Sequence, residues 1–220
     1  MFQYVLFDLD GTLTDPKAGI TSCVQYALAD AGIEEPDLDK LEPFIGPPLT
    51  DSFREFYGFD DEQIKRAIDK YHERFDEKGI FENEIIEGIP ELLKALKDAG
   101  RRVSIASSKP RPLVIRILEH FEIAQYFDTV VGSEFDGRFA TKEAVVEEAL
   151  KQLVPSVYEK EDVAMVGDRK FDIQGARAHG LTGIGVSFGY AGEHELEDAG
   201  ADYIVDTVEE LQRLLLQGSL

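Results

Sequence analysis

Tyr4-Val5-Leu6-Phe7-Asp8-Leu9-Asp10-Gly11-Thr12 is an apolar run that breaks off into two carboxylates and a glycine. A short, nearly continuous apolar run over Tyr4–Leu9, bounded by a turn signal, reads as a strand buried on both faces, as a parallel sheet requires. Two residues apart on an extended chain, Asp8 and Asp10 point to the same side. They stand at the carboxyl end of the strand, where open α/β sheets receive ligands. Asp-Gly is also an ordinary turn signal, so on its own the stretch argues for a strand and a turn.

Working outward, apolar runs at Val103–Ala106, Thr129–Gly132, Val163–Val166 and Gly183–Val186 have the same strand character. Amphipathic segments separate them. Leu113, Val114, Ile117, Leu118 and Phe121 share a helical face, as do Val145, Ala149 and Leu153, and Val208, Leu211, Leu214 and Leu215 form a last stripe. Thr207 and Glu210 have the spacing of a capping box, and Gly32, Gly100, Gly180 and Gly200 stand where helices end. The alternation predicts an α/β fold, a doubly wound parallel sheet with helices on both faces. Residues 15–87 break the rhythm. Ile20, Val24, Ala27, Leu28 and Ala31 make one helical stripe, Ile64, Ala67, Ile68, Tyr71 and Phe75 another, and Pro43, Pro47 and Pro48 lie between. The expectation is a core of residues 1–14 and 88–220, with a small helical domain of residues 15–87 inserted after the first strand.

Composition removes several classes. The 220 residues include 44 Asp+Glu against 23 Lys+Arg, a formal charge of −21. Such an excess repels phosphate backbones and anionic lipid surfaces, so no nucleic-acid or membrane partner is expected. At 43% hydrophobic and 30% charged residues the chain is of globular type. Cys23 is the single cysteine, which excludes an intrachain disulfide or a thiolate metal cluster. The amino-terminal residues lack the basic region of a signal peptide, and no run of 18 apolar residues occurs, so a cytoplasmic protein is expected.

Three further elements bear on chemistry. Val166-Gly167-Asp168-Arg169-Lys170-Phe171-Asp172 closes another strand, and Asp168 and Asp172 are oxygen ligands suited to a hard cation such as Mg²⁺. Acidic residues also favour a helix start, which accounts for either one alone. It does not account for four carboxylates after two buried strands, whose repulsion calls for a cation. Ser107, with Ser108 and Lys109, follows the strand Val103–Ala106, where a hydroxyl and backbone amides suit a phosphoryl oxygen; Ser-Ser-Lys-Pro is equally a fair helix start. Lys142 falls in a first helical turn, where a cation opposes the helix dipole, so its position hints at another task.

Together these pieces resemble the haloacid dehalogenase superfamily of phosphohydrolases. Asp8-Leu9-Asp10-Gly11-Thr12 matches its first motif, Ser107 its second, Lys142 its third, and Gly167-Asp168-Arg169-Lys170-Phe171-Asp172 its fourth. The helical insertion looks like that family's small cap. Gly132-Ser133-Glu134-Phe135-Asp136-Gly137 and Gly185-Val186-Ser187-Phe188-Gly189-Tyr190 are similar to the branch with phosphoglycolate phosphatases and 5′-nucleotidase-like proteins. The resemblance implies Asp8 as the nucleophile that forms an aspartyl-phosphate, and Asp10 as general acid and then base. It implies Ser107, Ser108 and Lys142 as holders of the phosphoryl group. It implies Mg²⁺ on Asp8, the Asp10 backbone carbonyl and Asp168, with Asp172 in or beside the coordination shell. The implied substrate is a small phosphorylated metabolite, phosphoglycolate or a 5′-nucleotide, handled by a monomer or homodimer. A phosphosugar mutase of the same superfamily and a non-catalytic phosphate-ligand sensor are the alternatives. Arg54, Tyr57, Pro47, Pro48 and Lys17 are candidates for a substrate pocket and Arg111 and Arg169 for anion binding, although packing or solvation explains each. His72, His120, His179 and His194 read as structural or surface residues.

Overall fold

The computed structural model describes residues 2–134, 136–154 and 157–218. Phe135, within the stretch 132–137 quoted above, lies outside the described residues. In chain order the elements are β1 (Tyr4–Phe7), β2 (Thr14–Asp15), α1 (Lys17–Asp30), α2 (Leu49–Tyr57), α3 (Asp61–Phe75), β3 (Glu84–Ile85), α4 (Ile89–Asp98), β4 (Arg102–Pro110), α5 (Arg111–His120), β5 (Thr129–Ser133), α6 (Lys142–Leu153), β6 (Val163–Gly167), α7 (Lys170–Ala178), β7 (Thr182–Val186), α8 (Glu195–Ala199), β8 (Tyr203–Val205) and α9 (Val208–Gln217). The chain divides into two compact units, Met1–Thr14 with Ile85–Leu220, and Asp15–Glu84. At the two passages between them, β2 and β3 form a small sheet of their own, two strands that the apolar pattern did not predict.

The first unit is built on a six-stranded sheet in the order β5-β4-β1-β6-β7-β8, parallel throughout. This is the α/β architecture expected. The central strand explains why: Val5, Leu6 and Phe7 are all fully buried, so neither face of β1 meets water. Leu6, Ala106 and Met165 pack on one face against Val145, Val146 and Ala149 of α6 and Ala176 of α7. Burying each of the larger side chains here, Leu6, Met165, Val145 and Val146, contributes about 1.5–3 kcal/mol. The chain turns from β1 to β4 and β5 on one side and to β6, β7 and β8 on the other, so the order reverses at β1. Phe7 is level with Ile105 of β4 and Val166 of β6. The carboxyl ends of three neighbouring strands therefore open together at the switch point.

β1 stops at Phe7 rather than Leu9. The Leu9 carbonyl accepts from the N–H groups of Thr12, Leu13 and Thr14, which curls the chain out of the sheet directly after Asp8. Gly11, at φ +78°, carries the turn. β8 was absent from the sequence reading; its apolar stretch Tyr203-Ile204-Val205 is only three residues long and half exposed. The capping box expected at Thr207 is half present. Thr207 Oγ1 accepts from Glu210 N–H at 3.2 Å, but the Glu210 carboxylate reaches Asp206 N–H instead.

The second unit is helical. Val24, Ala27 and Leu28 of α1 and Ile64, Ala67, Tyr71 and Phe75 of α3 are buried, as their spacing requires. Ala31, placed on the same stripe from sequence, is exposed because α1 ends there. Among the described residues no helix is long and apolar enough to cross a membrane.

Candidate active site

Asp8 leaves β1 with its N–H still donating to Val166 O at 2.9 Å, so its position is fixed by the sheet. Asp168 follows β6 directly, and Asp172 lies in the first turn of α7. A carboxylate oxygen from each of Asp8, Asp168 and Asp172 falls within 4.8 Å of the others, and all three residues are buried. Lys142, the first residue of α6, is buried among them. Its Nζ stands 2.8 Å from Asp8 Oδ1, 2.8 Å from Asp172 Oδ1 and 3.0 Å from the carbonyl of Ala106, in the buried part of β4. Thr141 caps that helix by accepting from Ala144 N–H, which leaves Lys142 unconstrained by capping and aimed at the strand tips.

Asp10 does not join this cluster with its carboxylate. Beyond the Leu9 turn its Oδ2 pairs with Lys109 Nζ, and both side chains are largely buried. Ser107 is buried at the tip of β4, its Oγ accepting from Lys109 N–H at 3.3 Å. Ser108 is half-buried beside it, its carbonyl accepting from Ser133 Oγ at 2.7 Å. β4 runs on through Pro110, so Ser107 and Ser108 belong to an irregular strand end rather than to a helix start.

The two fourth-motif carboxylates are gripped by main chain. Asp168 accepts from Tyr190 N–H at 2.8 Å and from the Thr12 hydroxyl at 3.3 Å. Gly11 and Gly189 press so closely on Asp168 that a Cβ at either would collide with its side chain. Asp172 accepts from Arg169 N–H at 3.0 Å, so it both starts α7 and faces the cluster. Burial, then repulsion from Asp172 and Asp8, raises Asp168 well above the ordinary carboxylate range. Burial likewise raises Asp172, against the pull of Lys142. Burial would depress Lys142, but Asp172 and Asp8 outweigh it and keep the ammonium charged.

Other candidates have ordinary partners. Lys17 pairs with Asp39 and Glu42, and Arg54 with Asp61 at 2.6 Å. Tyr57 packs at tilted angles against Phe44 and Phe59. Arg111 donates to Val130 O, Arg169 pairs with Glu195 at 2.9 Å, and His179 lies 3.1 Å from Glu143 O. The sequence reading missed the Lys109–Asp10 pair and the Tyr190 and Thr12 contacts to Asp168. The signals for the Asp168 contacts were Gly11 and Gly189, residues without a side chain where the chain must pass Asp168; the Lys109–Asp10 pair left none.

The haloacid dehalogenase-like hydrolase family model matches residues 5–186. A 5′-nucleotidase of Pseudomonas aeruginosa is 45% identical over 196 residues, 89% of this chain and 87% of the relative. The tyrosine-protein kinase PtkA of Mycobacterium tuberculosis is 38% identical over 216 residues, 97% of this chain and 72% of that protein. The crystal structure of a predicted phosphatase from Clostridium acetobutylicum, 46% identical, matches with a TM-score of 0.92 over 99% of each chain. The chain belongs to the haloacid dehalogenase-like hydrolase family and is a phosphatase of that family.

Proposed function

We propose that this enzyme is a Mg²⁺-dependent phosphomonoesterase that passes the phosphoryl group through Asp8 and acts on a small phosphorylated metabolite, a 5′-nucleotide or phosphoglycolate. The observation that carries the proposal is the buried Lys142 ammonium 2.8 Å from both Asp8 and Asp172. It sets a fixed positive charge beside the nucleophile, where a phosphoryl group brings further negative charge. The 45% identity to a 5′-nucleotidase favours the nucleotide among the substrates.

The donor set fits Mg²⁺. Asp8, Asp168 and Asp172 offer only hard oxygen donors, and three buried carboxylates against one ammonium leave an excess of two negative charges. With the Asp10 backbone carbonyl they would hold the ion, which when bound would polarise a phosphoryl oxygen and neutralise charge. Counting Asp10 and Lys109 as well, four carboxylates face two ammonium groups and one divalent cation, and the site balances.

The chain's own residues then divide the work. An Asp8 oxygen attacks phosphorus, the bond from phosphorus to the alcohol oxygen breaks, and an aspartyl-phosphate forms. Asp10 gives the departing oxygen a proton and later takes one from the water that cleaves the acyl phosphate. Lys109 holds Asp10 in place for both transfers. Ser107, Ser108 and Lys142 hold the phosphoryl oxygens. All of these reach only the phosphoryl group and the oxygen that leaves it, so we assign the choice of alcohol to a cap domain of residues 15–87. The enzyme works in the cytoplasm, as a monomer or homodimer, without nucleic-acid or membrane partners; the acidic charge of −21 supports only the absence of such polyanionic partners.

The test is hydrolysis of a panel of phosphate monoesters with Mg²⁺ and with chelator. Release of phosphate from 5′-nucleotides or phosphoglycolate only when Mg²⁺ is present is the expected result. Equal turnover in chelator, or no turnover of any ester, overturns the proposal. Activation by a bisphosphorylated sugar would make the enzyme a mutase, and transfer from ATP to protein tyrosine a kinase.

A further inference from the structure

Two stretches of backbone hold the two fourth-motif carboxylates. Arg169 N–H donates to Asp172 Oδ2 at 3.0 Å, and Tyr190 N–H to Asp168 Oδ2 at 2.8 Å. These bonds set the rotation of each carboxylate, and through it which oxygen faces the cluster. The stretches are far apart in sequence, and one side chain ties them together. Glu195 Oε1 accepts from Arg169 Nε at 2.9 Å and from Lys170 N–H at 2.8 Å. Its Oε2 accepts from Gly192 N–H at 3.1 Å and Arg169 Nη2 at 3.4 Å. Both partners of the Glu195–Arg169 pair are about seven-eighths buried, so solvent does little to screen them.

We infer that Glu195 is a positioning residue that sets the cation affinity of the Asp168–Asp172 pair by clamping the segment 169–170 to the segment 190–192; the inference rests on the magnesium-site reading above. Asp8, Asp168 and Asp172 repel one another, so a site with free backbone would splay. Glu195 touches neither the phosphoryl group nor the cation. It acts by denying the two N–H donors the freedom to follow that repulsion. Partners of this outer kind typically govern metal affinity by about 10–100-fold.

The experiment titrates Mg²⁺ into the intact enzyme by calorimetry and measures activation by Mg²⁺, for wild type, Glu195→Ala, Glu195→Gln and Asp202→Asn. Asp202 accepts from Gly183 N–H and pairs with Lys160 in the same unit, so its loss weakens structure away from the site. Glu195→Ala should raise both the dissociation constant and the half-activating concentration of Mg²⁺ by about tenfold or more, with turnover at saturating Mg²⁺ much less affected. Glu195→Gln keeps one accepting oxygen and should fall between, and it decides the matter if the alanine variant does not fold. Asp202→Asn should lower the melting temperature and leave the Mg²⁺ constants unchanged. A folded Glu195 variant with a lower melting temperature and wild-type Mg²⁺ constants overturns the inference, because Glu195 would then be structural only. Wild type that binds no Mg²⁺ overturns the magnesium reading itself, and this inference with it.

Discussion

Asp8, Asp168, Asp172 and Lys142 are each less than a tenth exposed, whereas Arg66 with Asp30 and Arg54 with Asp61 in the helical unit pair in contact with solvent. Both regions use carboxylates and cations at 2.6–2.8 Å. They differ in balance and in burial. The helical-unit pairs match one charge with one charge in a high dielectric, where such contacts are worth little. The strand-tip cluster sets three carboxylates against one ammonium out of water, an arrangement that makes no sense as a stabilising device. The acidic composition of the whole chain therefore narrows the partners but points to no chemistry; burying an unbalanced charge does.

Breaking the cluster at its cation should have the largest effect. Lys142→Met leaves Asp8 and Asp172 facing each other without their counter-charge, and removing one partner of a buried pair costs about 3–5 kcal/mol. Turnover should fall by about 10³-fold as a phosphoryl-holding donor is lost, and the melting temperature of the metal-free protein should drop. Denaturation curves and steady-state rates check both.

The next effect separates the two halves of the site. Asp10→Asn leaves the buried cluster intact and removes a proton donor worth about 10²–10⁴-fold. Alkyl phosphates should lose more than aryl phosphates, because a phenolate leaves with less protonic help. Equal losses on both would remove Asp10 from the general-acid role.

A smaller effect joins pH and metal. Asp168 and Asp172 are raised when folded, so the stability they contribute is complete below their unfolded values of about 4 and is lost as pH rises through the folded values. The metal-free protein should thus melt lower at pH 7.5 than at pH 5. Mg²⁺ should restore about 2–3 kcal/mol at 100-fold excess over its dissociation constant, and should do so at the higher pH far more than at the lower. Thermal melts at both values, with and without Mg²⁺, decide it.

The smallest effect belongs to the other region. Arg66→Ala removes a solvent-exposed pair worth no more than about 1 kcal/mol and should move the melting temperature by at most about 2–4 °C, with turnover unchanged.

The sheet was largely legible because its central strands are apolar on both faces and sit between amphipathic helices, so five runs declared themselves. What escaped were elements too short for such a run to stand out, the three-residue edge strand β8 and the two-residue β2 and β3, together with a full capping box between Asp60 and Gln63. At the site, Lys142 stood out because a cation opposes the helix dipole, and the structure shows it turned to the strand tips. Asp172 served both readings open to it, since one oxygen starts α7 while the other faces Lys142. Lys109 gave no sign of its partner, which lies 99 residues away across β4 and β1. Glu195 and the Tyr190 N–H were invisible for a related reason. A backbone donor has no residue type to read, and a glutamate at a helix start looks like any other.

The central claim is that phosphorus is carried on Asp8. Rapid acid quenching during turnover of a labelled phosphate ester, followed by peptide mapping, tests it most directly. Label on the peptide that contains Asp8, discharged by hydroxylamine and absent from a verified, non-deamidated Asp8→Asn sample that has also lost turnover by several orders of magnitude, is the predicted result. Asp8→Asn that keeps near wild-type turnover, or wild type that turns over with no label on that peptide at any time, would contradict it.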